Sequence, residues 1–248
     1  MIGQRPRNYF RPVCLTDKIN YVKKKVGFGI IGTGNIAKFH ADCIEKIPNA
    51  LLFGVLSKSQ SRAVQVANNY KCPVFWEMEK LLSHPEVDVI CVCNESGLHG
   101  NTISKIAKAG KHILCEKPLE TTVEKIEQIE LVVKSFGVLL GCVFQNRENP
   151  EYKKLKTYIE TGRLGKILLC QTSINWYRPP IYYEGSWRGT KALDGGAALI
   201  NQGIHTIDLM LNLMGEVSMI SGFIDTLNHR IEGEDVAVAA LRFKSGAL

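Results

Sequence analysis

Two short stretches of the sequence combine residue types and spacings that carry chemistry. The first is Gly32-Thr33-Gly34-Asn35-Ile36-Ala37, which follows the apolar run VGFGIIG and opens a helical pattern over residues 35–47. A buried strand running into Gly-x-Gly-x-x-Ala suits the pyrophosphate of a dinucleotide. The first glycine allows the tight turn, the second lets backbone approach the phosphates, and the alanine keeps helix close to strand. A tight turn that holds no ligand is the plain alternative. The second stretch is Cys115-Glu116-Lys117-Pro118, at the carboxyl end of the strand pattern HILC. Ligands of parallel sheets collect at that end, and Pro118 fixes the turn so that Lys117 projects into the crevice. Beside an oxidised nicotinamide, which is cationic, a lysine loses proton affinity and can shuttle a proton. Taken alone, Lys-Pro is more often a surface turn.

Cofactor choice rests on the end of the second strand pattern, ALLFGVL, which is followed by Ser57-Lys58-Ser59 with Arg62 beyond. An acid there would accept hydrogen bonds from the ribose hydroxyls of NAD and repel a 2′-phosphate. A hydroxyl with cations does the reverse, so the reading leans to NADP over NAD. The alternative is a solvated Lys58 and NAD bound without the usual acid. The expected cofactor set is Gly32, Thr33, Gly34, Asn35, Ile36, Ser57, Lys58, Arg62, Asn94, His99, Glu116 and Lys117.

The elements that must position these residues alternate. Strand patterns at 26–32, 50–56, 87–93, 112–115 and 138–144 are separated by helical patterns at 35–47, 61–70, 77–83, 98–109 and 122–136. Such alternation predicts α/β architecture, a Rossmann-type doubly wound parallel sheet over residues 26–144. After Phe144 the pattern changes. A helix is predicted over 150–160, then a long strand in ILLCQTSINWY, an aromatic loop over 177–190 and a helix over 197–214. Strand patterns at 217–225 and 235–243 close the series, giving an α+β substrate and oligomerisation domain over 145–248. Because the text stops at Leu248 just after a strand, that sheet is expected to be cut short, as in a fragment of a longer protein. Residues 1–25 read as a poorly ordered basic lead-in, with a transit peptide as the alternative.

The Gly-x-Gly-x-x-Ala turn, Glu116-Lys117-Pro118 and the spacing Asn201-x-x-x-His205 together resemble the glucose–fructose oxidoreductase, inositol dehydrogenase and MocA (Gfo/Idh/MocA) family over residues 26–248. The resemblance implies that Lys117 and His205 flank a reacting alcohol. His205 would take the hydroxyl proton while hydride leaves for nicotinamide C4, Lys117 would assist by hydrogen bonding, and Asn201 would orient the substrate. Many relatives carry Asp at the position of Asn201. Gln145-Asn146-Arg147, Trp187-Arg188-Gly189-Thr190, Asp194-Gly195-Gly196 and Asn201-Gln202 are similar to the branch that oxidises UDP-N-acetylglucosaminuronate at C3. Asn94-Glu95 departs from the Thr-Pro usual after the third strand of that family, and Glu148 stands where an aromatic is common. Chemically, Arg147, Arg178 and Arg188 offer planar forks for carboxylate or diphosphate. Trp187, Tyr177, Tyr182 and Tyr183 offer faces for sugar or uracil. An interdomain or subunit contact built from these aromatics is the alternative. The expected substrate set is Lys117, Arg147, Arg178, Trp187, Arg188, Asn201 and His205.

Composition narrows the classes. The formal charge of +7 over 248 residues suits small anionic ligands, and no basic–aromatic stripe, helix-turn-helix spacing or zinc pattern points to nucleic acid. No apolar run approaches the roughly 18 residues of a membrane span, and no secretory signal opens the text, so a cytoplasmic location is expected. The eight cysteines form no CxxC pair; they read as small buried hydrophobes, and neither disulfides nor a metal is expected. A homo-oligomer is expected if the second sheet is completed. A free sugar or polyol such as inositol is the rival substrate, and a non-catalytic dinucleotide-binding protein the rival function.

Overall fold

The computed structural model describes residues 25–248, so the lead-in expected over 1–25 lies, apart from Lys25, outside the described residues. The first half runs β1 (Val26–Ile31), α1 (Asn35–Lys46), β2 (Ala50–Leu56), α2 (Gln60–Tyr70), β3 (Val74–Phe75), α3 (Met78–Leu82) and β4 (Val89–Val92). It continues with α4 (His99–Lys108), β5 (His112–Cys115), α5 (Val123–Phe136) and β6 (Leu140–Cys142). The strands form one sheet in the order β3-β2-β1-β4-β5-β6, and each pairing is parallel. This is the doubly wound Rossmann order, with its switch point between β1 and β4. The sequence pattern anticipates every element of this half except the two-residue β3.

Why these residues make this sheet is a matter of two-sided burial. Strands such as VICV are apolar throughout, because helices cover both faces of a parallel sheet. One face packs Ile31, Ile90, Val92, Ile103, Ile106 and Ile113 into a buried cluster. The other packs Ile30, Ala37, Ala41, Ile44, Val55 and Cys91. The isoleucines and valines among them contribute about 1.5–3 kcal/mol each on full burial. Small residues on α1 (Ala37, Ala41) let that helix sit close to β1 and β2. Thr122 caps α5, its hydroxyl accepting from the Lys125 amide, and Gly137 ends the helix in the left-handed region.

The second half holds α6 (Pro150–Glu160), a wide π-helical turn over Ala198–Gly203 leading into α7 (Ile204–Met214), then β7 (Val217–Asp225) and β8 (Val236–Phe243). β7 and β8 pair antiparallel as a two-stranded sheet. The strand expected in ILLCQTSINWY does not form. The segment is irregular, and its Cys170 amide and Leu168 carbonyl bond to the backbone of Leu248 (2.9 and 3.0 Å). A strand needs a ladder beside it, and no described strand runs there. The helix expected over 197–214 is π-helical in its first turn, which shifts the facing of Asn201 relative to α7. Among the described residues no helix is long and apolar enough to cross a membrane, and the seven described cysteines are free thiols.

Candidate active site

The β1–α1 turn has the shape a dinucleotide needs. Gly32 sits at φ +96°, and a Cβ there would lie 2.6 Å from the backbone of Cys93 and Asn94, so only glycine fits. Gly34 faces open space, leaving room for a ligand to approach the backbone. Gly34 is also the N-cap of α1 and contributes no side-chain cap; its carbonyl accepts from the Ala37 amide (3.1 Å), and the Asn35 and Ile36 amides have no acceptor within the helix and are placed for an anion. A groove of about 360 Å³ continues from here, lined by Thr33, Gly34, Asn35, Lys38, Arg62 and Tyr70 among others. At the end of β2, Thr33 Oγ1 donates to Ser57 Oγ (2.7 Å), which also accepts from the Ser59 amide (3.2 Å). No acid stands at residues 57–62, and Lys58 and Arg62 are exposed. The turn, groove and cations therefore fit a dinucleotide. Ile36 packs against the buried cluster under the turn, so it shapes the site from below.

At the end of β5, Glu116 is buried and its Oε1 accepts from His40 Nε2 on α1 (2.8 Å). His40 is a site residue the sequence reading missed; nothing local ties a histidine on α1 to a carboxylate 76 residues later. The Lys117–Pro118 peptide is cis. Lys117 Nζ donates to the Asn201 carbonyl (2.9 Å), with a weaker approach to Asn201 Oδ1 (3.5 Å). Burial pushes the Lys117 amine below its ordinary value, aided by Arg178 and opposed by Glu116 and Asp194. His205 is the second residue of α7, and its ring meets Phe144 edge-on at 6.0 Å. Burial first, then the charge of Lys117, lowers its pKa, and its buried Nδ1 has no hydrogen-bond partner among the described residues. The structure thus brings Lys117, Asn201 and His205 together from opposite halves of the chain.

The remaining expected residues divide. Arg178 donates to Gln202 Oε1 (2.6 Å) and lies over the Trp176 and Tyr182 rings (5.1 and 4.9 Å). Arg188 lies over Tyr182 and Trp187 (4.7 and 5.4 Å), so arginines and aromatics form one stacked wall. His229 supports that wall by bonding the Arg178 carbonyl through Nε2 (2.8 Å) and Asp235 through Nδ1 (3.0 Å). Two expectations are corrected. Arg147 is not a free fork, because Nε donates to Asp208 Oδ2 (2.7 Å) and a second nitrogen holds Oδ1, tying the residue to α7. His99 is not open to a cofactor, because it is fully buried with Nδ1 on the Pro118 carbonyl (2.9 Å) and Nε2 on the Asn94 carbonyl (3.1 Å). It braces the two strand-end turns instead. Asn94 lies on the first of these turns, its Nδ2 donating to Thr102 (3.2 Å). Among the described residues no cluster of His, Cys, Asp or Glu is arranged to hold a metal.

A Rossmann sheet with this turn, joined to a second half that delivers a Lys–Asn–His cluster, is the architecture of a dinucleotide-binding α/β protein. Residues 26–144 match the oxidoreductase family with an NAD-binding Rossmann fold, and residues 152–248 match the Gfo/Idh/MocA C-terminal domain. The chain belongs to the Gfo/Idh/MocA family. Similar solved structures include the WlbA dehydrogenase from Bordetella pertussis in complex with NADH and UDP-GlcNAcA, 33% identical with a TM-score of 0.87. That match covers 90% of this chain and 65% of the other. A myo-inositol 2-dehydrogenase of Thermotoga maritima is 31% identical over 232 residues, covering 89% of this chain. An uncharacterised oxidoreductase of Bacillus subtilis is 28% identical over 232 residues, 91% of this chain. The chain spans 66% of the length of these two curated relatives.

Proposed function

We propose that the protein is an NAD(P)-dependent oxidoreductase that takes a secondary alcohol of a sugar nucleotide to a ketone, with C3 of UDP-N-acetylglucosaminuronate as the position oxidised. The observation that carries this reading is Lys117 Nζ resting on Asn201, one turn ahead of His205, at the carboxyl end of β5. When bound, the dinucleotide supplies the hydride acceptor. His205 takes the hydroxyl proton; its lowered pKa favours the neutral ring, the form that can accept a proton. Lys117 has three N–H donors, and with two facing Asn201 the third remains for the substrate oxygen. Asn201 aims Lys117. The Arg178–Arg188–aromatic wall supports a substrate with a diphosphate or carboxylate and a flat base. The structural likeness to a dehydrogenase that holds UDP-GlcNAcA supports the same substrate class. Lys58 and Arg62, without an acid nearby, support NADP over NAD.

A single-turnover experiment with enzyme in excess tests the reading. UDP-N-acetylglucosaminuronate is mixed with NADP⁺ or NAD⁺, and nicotinamide reduction is followed by absorbance. Reduction with the sugar nucleotide and none with inositol, glucose or xylose is expected. Reduction with inositol alone would move the substrate to free polyols, the class named for the Thermotoga relative.

A further inference from the structure

Asp194 is fully buried, yet neither the dinucleotide groove nor the aromatic wall uses it. Its Oδ2 accepts from the Gly189 amide (2.8 Å) and its Oδ1 accepts from Asn201 Nδ2 (2.6 Å). The same Asn201 faces Lys117 through both of its oxygens. A carboxylate only accepts and an ammonium only donates. Between them the Asn201 amide has one satisfying orientation, Nδ2 on Asp194 and Oδ1 towards Lys117; flipped, it would set donor against donor at one end and acceptor against acceptor at the other.

We propose that Asp194 is a positioning residue for Lys117, acting through Asn201: it locks the amide and places a buried carboxylate behind it, so that Lys117 stays aimed. This rests on the role given to Lys117 above. The charges facing Lys117 are Glu116 and Asp194, which hold its proton, and Arg178, which with burial loosens it; Cys142 and His205 lie nearby. Burial leaves the Asp194 carboxyl above its ordinary value, although the Gly189 amide, the Asn201 amide, Lys117 and Arg188 pull against it. With Asn rather than Asp at 201, the negative charge is one side chain removed from the amine. Lys117 therefore keeps an acidic neighbour without a direct ion pair that would hold it away from substrate.

The test reads Lys117 itself, without substrate or turnover. Acylation of lysines by a water-soluble amine reagent is followed across pH by mass spectrometry, with exposed Lys80 as internal reference. Asp194→Asn is expected to raise Lys117 labelling at fixed pH on the order of threefold relative to Lys80, because losing the charge favours the free amine. Asn201→Asp, which puts a carboxylate directly on Nζ, is expected to slow it. Where Asp194→Asn does not fold, Asp194→Ser keeps an acceptor for Gly189 and is read by the same criterion. An unchanged Lys117 titration in a folded neutral variant overturns the proposal. Absence of turnover with every sugar tested would overturn the functional reading and leave this result standing.

Discussion

The two sheets of this chain are built from similar residues and end in opposite states. VICV in β4 is buried almost end to end, between β1 and β5 with helices above and below. VSMISGFID in β7 is no less suited to a strand, yet Ile220 is 68% and Phe223 81% exposed. The residues do not explain the difference; the neighbours do. A strand buries its side chains only when layers lie on both faces, and β7–β8 has one strand partner and little covering it. The chemistry follows the same division. Lys117 comes from a strand end of the buried sheet, whereas Asn201 and His205 come from the π-helical turn and the start of α7, not from β7 or β8. The Lys–Asn–His cluster takes its anchor from the buried half and its partners from the helical part of the other half, while the arginine wall comes from the loop between.

The sharpest way to break this comparison is at the seam. Lys117→Met and His205→Gln should each lower turnover by about 10²–10⁴-fold while dinucleotide affinity, read by fluorescence quenching, stays within about threefold. In the unaltered protein, turnover should fall on acidification only below the ordinary histidine range, since the base must be neutral and burial lowers His205. An acid limb above that range would assign the proton to another group.

Within the buried half, Ile90→Ala should cost about 2–5 kcal/mol in urea unfolding, because its side chain is fully enclosed and leaves a cavity. Gly32→Ala should cost about 1–3 kcal/mol and abolish dinucleotide binding, since its φ is positive and a Cβ would press on the backbone at 2.6 Å.

A smaller effect is expected at the loop that braces the arginine wall. Burial raises the Asp235 carboxyl, but the amides of Leu227, His229 and Asn228 and the His229 ring outweigh it and take it down from 3.8 to about 2. A depressed carboxylate contributes stability that is present above its unfolded pKa and lost as pH falls through the folded one. Thermal melting should therefore weaken between about pH 4 and pH 2, and Asp235→Asn should remove on the order of 1–2 kcal/mol of that dependence. At the low end, Phe223→Ser on the open face of β7 should change stability by no more than about 0.5 kcal/mol. A large loss there would mean that the face is covered in solution, and sedimentation velocity would then show by what.

Much of the first half was legible because its signals are local. Alternating apolar runs and amphipathic helices specify a doubly wound sheet, Gly32 announces its turn through its neighbours, and Thr122 and Gly137 mark the ends of α5. Lys117, Asn201 and His205 were legible as a set only because their motifs resemble those of a known family. The rest depended on contacts that no local pattern encodes. Lys117 meets Asn201 across 84 positions, Glu116 meets His40 across 76, and Arg147 is claimed by Asp208 across 61. ILLCQTSINWY has the composition of a strand, but a strand is a relation to a neighbour, and the fold supplies none along its length. By itself the sequence determined which segments could be helix or strand and where a dinucleotide turn must lie, since those follow from backbone sterics and periodicity over a few residues. Only the tertiary structure decided which arginine is tied to an acid, which histidine is buried as a brace and which carboxylate stands behind the lysine, because hydrogen bonds and desolvation act between groups that the chain brings together only on folding.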